Sequence, residues 1–429
     1  MTEQLQNIEA GSLDTRIKLL YGDDPVELEK QKQRYAELIR MFNQEFPGER
    51  DIEIFSTPGR TEVGGNHTDH NAGRVLAAAV DLDIVAAVAR NEDRIIRIRS
   101  EKFPAVIVDI DELDVVESEY FSPTSLVRGV CARMVQLGYQ IGGFNAFTTS
   151  NVPNGAGLSS SAAFEVLVVT VLNHLFNDGV IDDVLNAQIA QYAENEYFGK
   201  PCGLMDQTTC AVGGLVTIDF KDFENPIVHK VDFDFAAQGF SAVIVAVGGD
   251  HADLNDDYIA LEHEMKSTAK ALGGQVLREF SKEILYQNLA AVRAQVSDRG
   301  ILRAIHFYND DQRVVDQVKT LERGKFTTFL NLVIESGYSS WMLCQNVFSC
   351  TNVHDQGLAV ALAMSEDILK GKGAWRVHGG GFAGTIQAFV PNEITANYIR
   401  ELEAVFGPGS CFKLMIRPVG TVCLSKMVE

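Results

Sequence analysis

Apolar residues in the first part of the chain recur every three or four positions among charged ones. The residues that form this stripe are Leu28, Tyr35, Leu38, Ile39 and Phe42. Such spacing predicts an amphipathic helix, and Pro47 followed by Gly48 is a signal that ends one. We therefore expect residues 1–48 to form a helical N-terminal extension.

Apolar runs and alternating patterns follow this extension. Ile96 and Ile98, for example, alternate with Arg97 and Arg99, which predicts a strand with one buried face. The patterns predict strands at 52–55, 75–90, 94–99, 144–149 and 213–220, and helices at 124–140, 159–176 and 181–198. We expect these elements to form an N-terminal lobe over residues 49–225.

The second half of the chain opens with a buried-type strand after a polar stretch near residues 221–238. The patterns predict strands at 242–247, 384–391 and 411–424, and helices near 255–271, 276–296, 310–323 and 354–371. These elements are expected to form a C-terminal lobe over residues 226–429. Because strands and helices are mixed throughout, the class is α+β or α/β with two lobes.

The composition of the 429 residues narrows the functional class. With 46% hydrophobic and 22% charged residues, the chain is typical of a globular protein rather than a disordered one. A formal net charge of −21 argues against nucleic acid as a partner, because a polyphosphate backbone is repelled. No run approaches the roughly 18 apolar residues that span a bilayer, so no membrane partner is expected.

Cysteine usage and the N-terminus bear on the compartment. Seven cysteines are scattered without a CxxC pair, which favours reduced thiols over a disulfide framework or a zinc site. The first residues show neither the basic start nor the apolar core of a signal peptide. We expect a cytoplasmic protein, and the sequence leaves a monomer and a weak homo-oligomer equally open.

Residues 153–163 carry the strongest local signal. Gly155 and Gly157 alternate with other residues, and Ser159, Ser160 and Ser161 then open an apolar helical stretch. A helix N-terminus with exposed N–H groups binds anions, and hydroxyls at that place can ligate Mg²⁺. No Gly-Lys-Ser/Thr follows, so the segment is not a Walker A loop. On its own, a well-capped helix explains it equally well.

Three further segments concentrate polar or glycine residues. Residues 59–71 place Asn, His and Asp side chains densely between apolar strands, which suits hydrogen bonding to a polyol. His67 and His70 lack nearby further ligands, so a metal site there is not favoured. Asp206 follows a Pro/Gly loop and is either a functional carboxylate or a plain helix cap. Residues 378–384 form a glycine-rich turn before a predicted strand.

In this order and at these distances, the segments resemble the motifs of the GHMP small-molecule kinases, most closely those that phosphorylate galactose. The matching segments are residues 59–60 and 65–69 for the sugar signature, 153–162 for the phosphate loop, 201–207 around the catalytic aspartate, and 379–382 for the C-terminal glycine motif. The resemblance implies an α+β, two-lobed GHMP kinase fold. Its N-terminal lobe would be like domain 2 of ribosomal protein S5, and its C-terminal lobe ferredoxin-like, with the active site between them.

The resemblance also implies the reaction, which is ATP-dependent phosphorylation of the anomeric hydroxyl of galactose, with Mg²⁺. Asp206 would take the proton from that hydroxyl or orient it electrostatically. Arg60 would lower the pKa of this aspartate and steady the charge on the transferring phosphoryl group. An arginine beside an aspartate favours the carboxylate, which suits either role, so both stay open.

Further roles are carried over by position. The sugar would contact Asn66, His67, Asp69, Gly203 and Tyr258, besides Asp206. The ATP phosphates would lie on the backbone of Gly155, Ala156, Gly157, Leu158, Ser159, Ser160 and Ser161. Ser161 and Glu194 would hold Mg²⁺, since a hydroxyl and a carboxylate are hard oxygen ligands.

Departures from the family pattern leave alternatives. The galactose-specific members usually carry Glu where this chain has Asn66, and Tyr where it has His70. The usual Glu is associated with the 6-hydroxyl of the sugar, and its absence removes repulsion toward a carboxylate at C6. A hexuronate such as galacturonate is therefore the alternative substrate. A non-catalytic galactose and ATP sensor is a further alternative, disfavoured by the complete serine-alanine stretch. A mevalonate or homoserine kinase is disfavoured by the His67-Thr68-Asp69 cluster.

Overall fold

The computed structural model describes residues 3–101, 104–153, 157–200, 202–248 and 255–427. Its helices are α1 Glu3–Glu9, α2 Asp14–Tyr21, α3 Pro25–Glu45, α4 Pro123–Gln136, α5 Ser160–Phe176, α6 Asp183–Ala193, α7 Met205–Val212, α8 Asn255–Ala271, α9 Lys282–Gln287, α10 Leu289–Arg293, α11 Asp298–Glu322, α12 Phe326–Ser339, α13 Gly357–Leu369 and α14 Asn392–Phe406. Its strands are β1 Glu53–Gly64, β2 Arg74–Arg90, β3 Ile95–Ser100, β4 Val106–Asp109, β5 Phe144–Ser150, β6 Leu215–Asp219, β7 Ile227–Val231, β8 Phe240–Gly248, β9 Ala374–His378, β10 Gly384–Pro391, β11 Cys411–Leu414 and β12 Val422–Cys423. Two π-helical turns, Glu194–Phe198 and Ser340–Cys344, follow directly after α6 and α12.

The larger sheet is organised around β2, a 17-residue strand that is buried along most of its length. β1 pairs antiparallel with β2 on one side. On the other side, the first part of β2 pairs with β6 and the last part with β5. The strand order is β12-β1-β2-β5-β3-β4, with β6 and β7 branching from β2, and only the β3–β5 pair is parallel among the described strands. One face of the sheet packs against α4 to α7 in the main core.

The other face of this sheet is covered by the N-terminal helices. Side chains alternate between the two faces of a strand, so Ile54, Val85 and Ala87 point away from the main core. They pack in a second core with Tyr35 and Ile39 of α3. The segment predicted as a helical extension is thus the layer that shields this sheet face from water.

A buried carboxylate, Asp83, ties this helical layer to the sheet. Arg34 Nη1 of α3 donates to Asp83 Oδ1 at 2.7 Å, and Arg417 Nη1 donates to Asp83 Oδ2 at 3.2 Å. The hydroxyls of Tyr21 and Ser56 donate to the same Oδ2. Although burial opposes the charge, the two guanidinium groups hold the pKa of Asp83 below its usual value.

The smaller sheet has the order β11-β8-β10-β9 and is antiparallel throughout. α13 lies between β8 and β9 in the chain, and α14 lies between β10 and β11. This is the βαββαβ order of a ferredoxin-like layer, with a core of its own between the sheet and these two helices. The predicted α+β fold with a ferredoxin-like C-terminal part is confirmed.

Several element predictions need correction. The pattern over 411–424 is two strands in different sheets, because β11 pairs with β8 and β12 pairs with β1. The helix predicted near 276–296 is a 3₁₀ turn followed by the short helices α9 and α10, and the helix predicted over 310–323 begins earlier, at Asp298. The sequence patterns do not predict α7, α12, α14, β4, β7 or β9.

The division of the chain at residues 48 and 225 stays a prediction. Hydrogen bonding in the larger sheet does not stop at residue 225, because β7 pairs with β6. The chain also returns to that sheet at its end through β12.

Candidate active site

A salt bridge between Arg60 and Asp206 lies at the centre of the candidate site. Arg60 Nε donates to Asp206 Oδ1 at 2.7 Å, and Arg60 Nη2 donates to Asp206 Oδ2 at 2.6 Å. The Ser159 hydroxyl donates to Asp206 Oδ2 at 2.5 Å, and Arg60 Nη1 donates to the carbonyl oxygen of Gly157. The predicted catalytic pair and the predicted phosphate loop therefore meet, although they are far apart in sequence.

Burial distinguishes the two partners of this salt bridge. The Arg60 side chain is 9% exposed, whereas Asp206 is 31% exposed and can reach a bound molecule. Burial disfavours a charged guanidinium, but the Asp206 carboxylate outweighs this and raises the pKa of Arg60. The bidentate geometry adds orientation to charge, so Asp206 is held in one position beside a permanent cation.

The local backbone explains why Arg60 points at the phosphate loop. The β1–β2 register is irregular between Pro58 and Arg60, and such irregularities re-aim side chains. Gly59 allows a close approach, because a Cβ there would lie 2.7 Å from the carbonyl oxygen of Leu158. The Arg60 N–H donates to that same carbonyl at 3.2 Å. Asp206 lies in the first turn of α7.

The predicted phosphate loop is described from residue 157 onward, and Gly155 and Ala156 lie outside the described residues. Gly157 has φ +67° and Ser159 has φ 57°, so both are left-handed. This turn lets α5 begin at Ser160 with its first N–H groups at the loop, and a helix N-terminus of this kind is an anion site. Leu158 is buried and anchors the loop to the main core.

Ser161 and Glu194, the predicted Mg²⁺ ligands, lie together. The Ser161 hydroxyl donates to Glu194 Oε1 at 3.5 Å, and Gln207 Nε2 donates to Glu194 Oε2 at 2.8 Å. Lys200 Nζ lies 3.8 Å from Glu194 Oε1. Burial raises the pKa of Glu194 despite this ammonium. It also raises the pKa of Glu165, which shares the Gln207 amide, well above its usual value.

Residues 66–70, the sugar loop, follow β1 and place Asp69 beside the segment that leads to Asp206. His67 Nε2 pairs with the carbonyl oxygen of Gly380 at 2.8 Å. A Cβ on Gly203 would lie 2.6 Å from Asp69 Oδ2, which is too close. The observed position of the Asp69 carboxylate therefore requires glycine at position 203. Burial raises the pKa of Asp69, against the effect of the neighbouring His67.

The two remaining predicted sugar contacts are bonded to the protein itself. The Asn66 side chain is 1% exposed and makes all its hydrogen bonds to protein groups. The hydroxyl of Tyr258, on α8, donates to the carbonyl oxygen of Gly381 at 2.9 Å. Its ring contacts Phe382 edge-on, with centroids 5.3 Å apart. Both residues therefore connect the site to the glycine-rich turn 379–382.

Sequence reasoning missed a set of polar residues behind the sugar loop. They are Glu62, Ser340, Asn346, Arg376 and His378, all buried. Two of them could have been noticed, because a charged residue inside an otherwise buried strand needs a partner. Glu62 in β1 and Arg376 in β9 are that pair, with Oε1 and Nη2 2.7 Å apart.

Four buried histidines around the site make stability sensitive to acid. Burial lowers the pKa of His67 and of His70 to about 4, and it also lowers the pKa of His306 and His378. His70 Nε2 is buried without a partner among the described residues. These rings stay neutral in the folded protein, whereas the unfolded chain takes up protons below about pH 6.5.

We therefore expect these histidines to lower the free energy of unfolding as the pH falls from about 6.5 toward about 4, against the opposite contribution of carboxyl groups whose pKa burial raises, such as Asp69 and Glu165. Each histidine that stays neutral contributes a slope of about 1.4 kcal/mol per pH unit. Urea denaturation at several pH values measures this slope. His70→Gln should reduce it, and an unchanged slope in that variant would contradict the assignment.

The described residues contain neither a ready-made cluster of metal ligands nor a helix that could span a membrane. No three His, Cys, Asp or Glu side chains among them are grouped so that they could hold a metal ion by themselves. Within the same ranges, each helix is either too short or too polar to cross a bilayer.

Comparison with known proteins agrees with this geometry. Residues 125–214 match the GHMP kinases N terminal domain, and residues 40–90 match the galactokinase galactose-binding signature. The fold is similar to that of the Lactococcus lactis galactokinase crystallised with galactose. The TM-score is 0.77 at 24% identity, and the alignment covers 91% of this chain and 99% of that one. Fold and site together define a small-molecule kinase of the GHMP type.

Relatives with higher sequence identity narrow this class. The galactokinase of Streptomyces coelicolor is 32% identical over 337 residues, which cover 77% of this chain and 83% of that protein. The galactokinase of Homo sapiens is 30% identical over 396 residues, which cover 88% and 94% respectively. The chain belongs to the galactokinase family.

Proposed function

We propose that this protein transfers the γ-phosphoryl group of ATP to the anomeric hydroxyl of galactose. The observation that carries the proposal is the Arg60–Asp206 pair, bonded to the phosphate loop on one side and adjacent to the sugar loop on the other. Family membership supports the same reaction, because relatives that match over most of their length are galactokinases. The site residues are predictions that this geometry supports.

In the proposed reaction the anomeric oxygen attacks the γ-phosphorus, and the bond to the bridging oxygen of ADP breaks. The hydroxyl proton passes to an oxygen of Asp206, or Asp206 only orients the hydroxyl and the proton leaves later. Arg60 stays cationic and stabilises the negative charge that surrounds the reacting phosphoryl group. Phosphoryl transfer depends mainly on alignment and charge stabilisation, which a rigid bidentate pair provides.

The phosphate and metal positions fit the same proposal. The N-terminus of α5, together with the loop predicted from Gly155 to Ser161, would receive the phosphates. Ser161 and Glu194 are suited to Mg²⁺, because they offer a hydroxyl and a carboxylate with oxygens 3.5 Å apart. When bound, Mg²⁺ would neutralise phosphate charge. Lys200, near Glu194, adds a second positive charge at this place.

His67, Asp69, Gly203 and Tyr258 are proposed to form the sugar side of the site. Galactose and ATP are then the small-molecule partners. A cytoplasmic location is part of the proposal and is supported by the free thiols of all seven cysteines.

A panel of acceptors tests the proposed function. We expect ADP release that depends on both galactose and Mg²⁺, with slower turnover of glucose, N-acetylgalactosamine and galacturonate. Coupled ADP detection measures it, and mass spectrometry identifies galactose 1-phosphate. If galacturonate were preferred, the alternative acceptor would replace galactose. If ATP and galactose bound without product, the sensor alternative would hold.

A further inference from the structure

Asn66 lies in a buried polar cluster where the sugar loop meets the C-terminal half of the chain. Asn66 Nδ2 donates to Glu62 Oε1 at 3.1 Å and to the Gly379 carbonyl oxygen at 2.7 Å. Asn66 Oδ1 accepts from the Ser340 hydroxyl at 3.1 Å and from Asn346 Nδ2 at 2.9 Å. The amide is 1% exposed.

These four bonds use the whole capacity of the side chain. A primary amide has two N–H donors and one oxygen with two lone pairs. Its orientation is determined by its neighbours, because the Glu62 carboxylate and a carbonyl can only accept, whereas Asn346 Nδ2 can only donate. A sugar hydroxyl could bond to this amide only by breaking one of the buried bonds.

The backbone of Asn66 is held as tightly as its side chain. Its N–H donates to Asp310 Oδ2 at 2.8 Å, and its carbonyl oxygen pairs with His306 Nε2 at 2.8 Å. Both partners lie on α11. The next residue in the chain, His67, pairs with the Gly380 carbonyl oxygen, to which Asn346 Nδ2 also donates at 3.1 Å. Asn66 thus connects the sugar loop, of which it is part, to residues 340–346 and to the turn 379–382.

The charge of the cluster requires an amide at this position. Glu62 Oε1 faces Asn66 Nδ2 and is neutralised by Arg376 Nη2 at 2.7 Å. An ionised carboxylate at position 66 would place a second anion against Glu62 and would offer the Gly379 carbonyl oxygen no hydrogen-bond donor. The negative charge that the family pattern places at position 66 is therefore present here at Glu62.

We propose that Asn66 is a positioning residue that holds His67 and Asp69 in place for the sugar, and that it does not bind the substituent at C6. This inference rests on the proposed galactose 1-kinase function. It differs from the family-based expectation, in which the residue at position 66 is a ligand of the sugar's 6-hydroxyl.

Exchanging the carboxylate and the amide between positions 62 and 66 tests the positioning role. Asn66→Asp keeps the shape of the side chain but opposes two carboxylates, so we expect a lower Tm and a galactose KM raised by about tenfold or more. The double variant E62Q/N66D restores one anion, one amide and one guanidinium. It should recover at least half of both losses, although Glu62→Gln alone is also destabilising because Arg376 loses its anion. The KM for ATP should stay within about twofold in all variants that fold.

A substrate comparison tests the second half of the inference. Asn66→Ala should raise the KM for galactose and for 6-deoxygalactose by the same factor, within about twofold, because the amide is not bonded to the 6-hydroxyl. Ser340→Ala, which removes one donor to Asn66, should produce a smaller effect of the same kind.

The outcomes separate the inference from the proposed function. If wild-type protein phosphorylates neither sugar, the proposed function fails, and the Tm values of N66D, E62Q and the double variant still decide whether Asn66 is coupled to Glu62 in the buried cluster. If galactose is phosphorylated and N66D retains the wild-type KM and Tm, the inference is wrong. It is also wrong if N66A abolishes a preference for galactose over 6-deoxygalactose.

Discussion

Replacing Asp206 by alanine is expected to lower kcat for galactose phosphorylation by roughly 10³-fold while leaving the fold intact. The carboxylate is the only described group that contacts Arg60 Nε and Nη2 and is also exposed enough to meet a substrate. Its loss removes both the proton acceptor and the orienting charge, so either role predicts the same direction. Coupled ADP release gives kcat, and circular dichroism with a thermal melt reports the fold.

The matched control for this variant is another bidentate arginine–aspartate pair. Arg94 and Asp111 form one on the surface near the edge strand β4, with nitrogen–oxygen distances from 2.6 Å to 3.1 Å. Asp206→Asn should behave like D206A, whereas Asp111→Asn should leave kcat unchanged. A D206A variant with wild-type kcat would refute the catalytic role of this residue.

Replacing Asp83 by asparagine is expected to destabilise the protein by about 3–5 kcal/mol, the cost of breaking a buried ion pair by removing one partner. The substitution keeps the size of the side chain but leaves Arg34 and Arg417 without their shared anion. The helical layer α2–α3 should then detach from the sheet more readily. Urea denaturation followed by fluorescence and far-ultraviolet circular dichroism measures the loss.

The pH dependence of this effect has a definite sign. The folded pKa of Asp83 lies below its usual value, so its contribution is fully present above the unfolded value of about 3.9. The contribution is lost as the pH falls through the folded pKa. At neutral pH, D83N should therefore unfold at lower urea concentration than wild type, and D111N should not. Equal midpoints for D83N and wild type would mean that the network contributes no net stability.

The longest elements of the N-terminal part could be predicted from sequence because each of them has a strong local signal. β2 is a long apolar run, α3 has a clear helical period, and α5 begins after a glycine and serine turn. The predictions failed where one apolar pattern serves two structures. Residues 411–424 look like one strand, but β11 and β12 pair with partners that are far apart in the chain.

The candidate site shows the same division. Arg60, Asp206 and the serines 159–161 each lie in a short motif of neighbouring residues. The sequence therefore indicated them as candidates without knowledge of the fold. Nothing in their local pattern marks Ser340 and Asn346, whereas Glu62 and Arg376 are charges inside buried strands whose partners the local pattern does not identify. Glu62, Ser340 and Asn346 become parts of the site because Asn66 contacts them, and Arg376 belongs to it through its salt bridge with Glu62.

By itself the sequence indicated candidate segments for phosphate binding and a candidate catalytic carboxylate, and it predicted much of the alternation of strands and helices. These properties depend on neighbouring residues in the chain. Only the tertiary structure shows which groups Asn66 contacts and that the first helices cover one face of the larger sheet. The partners of Asn66 and of Asp83 come from distant segments, and whether a buried polar group is satisfied depends on all of its partners together. A reading of position 66 alone sees a missing anion, whereas the folded chain has that anion at Glu62, paired with Arg376.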